Sequence, residues 1–289
     1  MSTTAPALVS SKDTTAPVTT APAFVSSIEP EHRPGIAGVA RSEWTKIRSL
    51  RSTFWTFLVT AVLTIGMGAL FSFGLTTGHE PIQADFNGAG YPFVAMFMSQ
   101  LAIGVLGVLV ITTEYASGMI RTSFTSFPQR GLLLAVKATV FALVTFAVSV
   151  PATFATFFIS QPLLYRSTPD YGVSLTSPHA LRIVIGAALY LTLCALFGVA
   201  LGALLRSTAA AITGLTGILF LLPILVSFVP GSWHRNTIAQ WLPSNAGFQI
   251  IERTTQPLQF SPWVGLAVFA GWVALAFAGA LVLLRRRDV

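Results

Sequence analysis

The chain has 289 residues, of which 53% are hydrophobic and 9% charged, with a mean hydropathy of +0.73 and a formal charge of +7. So few polar side chains cannot cover a water-exposed globule, and continuous apolar runs, rather than strands alternating over about ten residues, exclude a β-barrel. The expected fold is an all-α polytopic membrane protein. Its basic residues cluster at the ends of apolar segments, where they set topology, so no nucleic-acid partner is expected.

Residues 1–36 are rich in Thr, Ala, Pro and Ser and carry an imperfect duplication, TTAPALVSS at 3–11 and TTAPAFVSS at 19–27. Such a composition buries too little to order itself, so this stretch is expected to be a disordered tail ahead of a membrane domain over 37–289. From Ala40 the pattern changes: Ala40, Trp44, Ile47, Leu50 and Phe54 follow helical spacing, while Arg41, Lys46, Arg48 and Arg51 fall mainly elsewhere around the helix. This predicts an amphipathic helix lying in the membrane interface.

Six apolar runs follow, each long enough to cross a hydrocarbon layer of roughly 30 Å. They cover about 54–76, 91–113, 132–160, 181–205, 209–229 and 263–284. With six spans, all but four of the 17 lysines and arginines fall on the side that holds both termini, the exceptions being Arg166, Arg182, Arg235 and Arg253. Both termini are therefore expected in the cytoplasm. On the opposite side, the long connection before the sixth span carries Trp233, Trp241 and Trp263 together with Pro243 and Pro257. That mixture predicts short interfacial or re-entrant helices rather than a hydrated loop.

Ile111–Arg130 is the one polar insertion between two spans. In it Ile120, Phe124 and Phe127 recur at spacings of four and three, and Arg121, Thr122, Ser123, Thr125 and Ser126 occupy the other side. A short amphipathic helix at the membrane surface is predicted there, a handle for a soluble partner.

The spans are as informative for what they lack. No Asp or Glu lies deep within one, and Lys137 and Arg182 are near enough to segment ends to reach the headgroups. His32, His79, His179 and His234 are isolated, no H-E-x-x-H pair occurs, and no G-x-x-x-x-G-K-[ST] phosphate loop is present. No catalytic or metal-ligating residue is assigned, no cofactor is expected on this chain, and an enzyme is not expected. Phe97, Gln100, Thr213, Thr216 and Phe220 form the mixed polar and aromatic set near mid-membrane. They read either as the lining of a path for an amphipathic cargo or as ordinary helix packing. Gly198 and Gly202 form a small-xxx-small packing pair. Cys194 is the one cysteine, so the chain forms no internal disulfide.

Three stretches, SEWTKIRSLRSTFW at 42–55, TEYASGMIRTSF at 113–124 and WLPSNAGFQI at 241–250, together resemble the permease subunits of type-2 ATP-binding-cassette exporters of the actinobacterial sort. The resemblance covers about residue 38 to the C-terminus. It implies a multi-pass plasma-membrane subunit that dimerises with a second permease copy or homologue and couples to a separate cytoplasmic ATPase, where ATP and magnesium would bind. Residues implied in coupling are Glu43, Lys46 and Arg48 on the first helix, and Glu114, Tyr115, Gly118, Met119, Arg121 and Phe124 at the insertion. Spans two and five are implied to line the route. A stand-alone channel, a secondary carrier and a non-transporting scaffold or immunity protein are the other readings the sequence leaves open.

Overall fold

A computed structural model describes residues 35–77, 86–119, 129–230, 237–253 and 259–286. Most of the expected tail, residues 1–34, and most of the expected surface helix, residues 120–128, lie outside the described residues. Among the described residues every regular element is helical, and six helical segments are long and apolar enough to cross a membrane. The chain is an all-α, multi-pass membrane protein.

Helix α1, Ile36–Ser49, ends with Lys46 and Arg48 in its last turn, where cations suit the carbonyl end of a helix. Leu50 is extended and separates it from α2, Arg51–Thr77, the first span. A tight turn over Tyr91–Ala95 leads into α3, Met96–Ala116, the second span. Gly118 stops α3 with a left-handed backbone, φ 71°, the conformation that glycine adopts without steric cost just past a helix end. The third span is α4, Arg130–Ser167, which accommodates Pro151 and Pro162. The fourth is α5, Ala180–Leu205.

Span five is assembled from two helical pieces. Helix α6, Thr208–Thr216, runs through a wider turn over Gly217–Leu221 into α7, Leu222–Ser227. The wide turn precedes Pro223, which has no N–H to give to the turn before it; Leu222 instead donates to the Gly217 carbonyl five residues back. The predicted short helices of the connection before span six are present as α8, Pro243–Phe248, between single turns at Ala239–Trp241 and Gln249–Ile251. Helix α9, Pro262–Arg286, is the last span.

The six spans are not equivalent. In its most apolar stretch α5 is 78% buried, against 17% for span five and 22% for spans one and six, so α5 is the central post, packed on α3, α4, α6 and α9, while α2 packs on α3 and α4. Its closest approach is to α3. A Cβ on Gly107 would lie 2.1 Å from the Ala195 carbonyl oxygen, and one on Gly198 would lie 2.1 Å from that of Gly104. The expected packing role of Gly198 and Gly202 is met here, because only bare backbones fit at this crossing. Cys194 is fully buried in the same helix. Buried hydroxyls on α2 and α4, Thr60, Thr64, Thr153 and Thr156 among them, are each bonded to a carbonyl of their own helix, and Thr64 also meets the Ser99 hydroxyl of α3 at 2.9 Å. Such bonds satisfy a polar group that lipid cannot.

Candidate functional site

Helix α1 carries three kinds of side chain on three sides. Trp44 and Leu50 face outward, as the apolar stripe predicts, and Arg48 is exposed. The side turned to the bundle holds Val39, which packs on Leu133 and Val136 of α4, and one turn on, Glu43. Lys46 is three residues further and shares that side.

Here a closed ring of alternating charge forms. Lys46 Nζ donates to Glu43 Oε1 at 2.7 Å and to Glu114 Oε1 at 3.0 Å. Lys137 Nζ donates to Glu43 Oε2 at 2.5 Å and to Glu114 Oε1 at 2.8 Å. Each ammonium lies between two carboxylates and each carboxylate between two ammoniums, so the four charges sum to zero. Glu43, Glu114 and Lys137 are only 3%, 4% and 3% exposed, whereas a third of the Lys46 side chain remains accessible. The ring joins α1 to the end of span two and the second turn of span three.

The electrostatics explain why the members hold one another. Glu114 sits in the last turn of α3, where the helix carbonyls disfavour an anion, so its charge is stabilised by the two lysines and not by its own helix. Burial pushes the Glu43 carboxyl up, yet Lys137 and then Lys46 outweigh it and hold the group below its ordinary value. Burial likewise pushes the Lys46 ammonium down, and bonds to Glu43 and Glu114 return it to above its ordinary value.

One expectation is corrected. Lys137 does not extend outward to the headgroups: it is buried between Glu43 and Glu114, whose carboxylates hold its ammonium inside the bundle. Arg182, near the start of span four, stays partly exposed. It donates to the backbone carbonyls of Glu252 at 2.7 Å and Arg253 at 3.4 Å, pinning span four to the connection before span six.

The residues that the resemblance implies in coupling separate into buried and exposed. Glu43 and Glu114 have almost no surface to offer a protein partner, and Glu114 is engaged through Oε1 by Lys46 and Lys137. Tyr115 is half-buried with the Arg206 guanidinium 5.5 Å from its ring centre. Gly118 and Met119 are exposed. Arg121 and Phe124 lie outside the described residues.

No family model matches the chain, and no curated protein does. The five residues expected near mid-membrane make different contacts. Gln100 is fully buried and accepts a hydrogen bond from Tyr190 of α5, which makes it a helix-to-helix contact. Phe97 and Phe220 meet edge-on with ring centres 4.3 Å apart, joining spans two and five. Thr216 bonds the Ile212 carbonyl at 2.9 Å, and Thr213 is exposed. Lys137 is the ring member whose partners sequence reasoning missed. Its signal was an unpaired cation two turns inside a span.

Proposed function

We propose that the chain is the transmembrane subunit of an ATP-driven exporter, a plasma-membrane permease that forms the substrate path as a dimer and takes its energy from a separate cytoplasmic ATPase. The observation that carries this reading is the charge ring, which ties α1 to the ends of spans two and three. An interfacial helix held only by lipid would slide when pushed. One held by four ionic contacts passes a push to the spans as differential contact free energy between two arrangements. In this reading Glu43, Glu114 and Lys137 are positioning residues, and the exposed Arg48, Gly118 and Met119 belong to the face an ATPase would press. ATP and magnesium would sit on that partner.

The test is co-purification from native membranes followed by transport in sealed vesicles. The expected result is an accompanying ATPase and uptake that stops with vanadate; cargo transport by this chain alone rejects the proposal. A secondary carrier is the second reading, favoured by the buried ionisable pair Glu114 and Lys137. It requires transport that collapses with the ion gradient and is indifferent to vanadate.

A further inference from the structure

Beside the charge ring, α1, α2 and α3 enclose a cavity of about 430 Å³. Its walls are mainly apolar, with Ile47 on α1, Leu50 in the link to α2, Thr53 and Thr56 on α2, and Leu106 and Leu109 on α3. The ring forms its polar end, where one feature is unresolved by the protein itself. Both lysines converge on Glu114 Oε1, and the second oxygen, Oε2, is buried without a hydrogen-bond partner. Glu114 lines the cavity, and a buried carboxylate oxygen left without a donor beside apolar walls costs free energy unless one arrives.

We infer that this cavity is a binding site for a lipid with a primary ammonium head, an aminophospholipid whose headgroup meets Glu114 and whose upper chain fills the apolar walls. Three observations select that chemistry. Glu114 Oε2 needs an N–H or O–H donor, and a cation compensates a carboxylate best. Lys46 has one N–H beyond its bonds to Glu43 and Glu114 and is the accessible member of the ring, suitably charged for the phosphate of the same head. The ring is neutral overall, so it favours a zwitterion over a net anion or cation. The depth also fits. Thr53 and Thr56 lie in the opening turns of span one and Leu109 and Glu114 in the closing turns of span two, which places the cavity where headgroups give way to acyl chains. Its volume is that of a ligand pocket and holds a headgroup and part of one chain. The site needs no ATPase to exist and stands apart from the exporter proposal.

The experiment measures the apparent unfolding temperature of the full chain in detergent with equal mole fractions of dioleoyl phosphatidylethanolamine, phosphatidylcholine or phosphatidylglycerol, or with dodecylammonium. A ligand that binds only the folded state raises that temperature. Phosphatidylethanolamine is expected to raise it by several degrees more than phosphatidylcholine, whose quaternary nitrogen has no hydrogen to donate, and more than phosphatidylglycerol. Glu114→Gln and, independently, the cavity-filling Leu109→Trp are expected to abolish the difference between phosphatidylethanolamine and phosphatidylcholine. Reading that difference within each variant separates lost binding from a lower baseline. Equal shifts with all three lipids, the largest shift with phosphatidylglycerol, or a preference that survives Leu109→Trp overturns the inference. Stabilisation by dodecylammonium without stabilisation by phosphatidylethanolamine also overturns it, since the ligand would then be a free amine and not a bilayer lipid.

Discussion

Replacing Lys137 with methionine keeps the length and apolar character of the side chain and removes one corner of the charge ring. Lys137 lies 2.5 Å from Glu43 and 2.8 Å from Glu114. A contact near 2.8 Å represents about 6 kcal/mol of bare attraction at an effective dielectric of about 20. Taking each ion out of water costs several kcal/mol, so the net value of the intact ring is far smaller than that sum. The loss on deleting one corner is not small, because two buried carboxylates must then share Lys46, itself a third exposed. Lys137→Met is expected to cost about 3–5 kcal/mol, the range for leaving a buried charge without its partner. At about 2–4 °C per kcal/mol for a chain of this size, the apparent unfolding temperature falls by about 6–20 °C. Adding Glu43→Gln leaves one carboxylate, Glu114, facing one ammonium, Lys46, and should recover part of the loss, with a coupling of about 1–3 kcal/mol in a double-mutant cycle. Thermal unfolding of wild type, both single variants and the double variant in one detergent measures all four corners. A drop of less than about 1 kcal/mol, or losses that simply add, would refute the ring as a cooperative unit.

The same ring fixes a pH profile. Glu43 is held below its ordinary 4.5, so its contribution is full above that value and is lost as pH falls through the lower folded value. Lys46 is held above its ordinary 10.5, so its contribution is full below that value and is lost as pH rises through the higher folded value. Unfolding temperature is expected to be flat between roughly pH 5 and pH 10; a step near neutrality contradicts the assignment. At the α3–α5 crossing, Gly107→Ala drives a methyl onto the Ala195 carbonyl and should cost about 1–3 kcal/mol or more, while Gly271→Ala, with nothing within 4 Å, should cost nothing. Tyr190→Phe removes the donor to buried Gln100 and should cost about 1–3 kcal/mol, with Tyr190→Phe/Gln100→Leu closer to wild type in the same melt.

The spans were legible because apolar length survives any packing arrangement. The predicted fourth span, about 181–205, became Ala180–Leu205 with no partner information needed. Helix α1 was legible as an amphipathic helix, since Trp44 and Leu50 do face outward. What the sequence hid was its third side. Glu43 meets a lysine 94 residues away, and a charge read alone at the end of a span looks bound for the headgroups. Only the fold brings four isolated charges to within bonding distance, and once together they neutralise one another. Gln100 was ambiguous for a similar reason: an amide in a span reads as path or packing until Tyr190 is seen beside it.

The sole thiol of the chain, at Cys194, is sealed inside the central post formed by α5. Maleimides reach it only when the neighbouring helices part, so its rate of alkylation is a native clock for breathing of the bundle. For the same reason a cysteine introduced at the outward Trp44 or Arg48 can be tagged in the intact protein against a dark background, and the movement of α1 followed without first stripping the chain of its own sulfur.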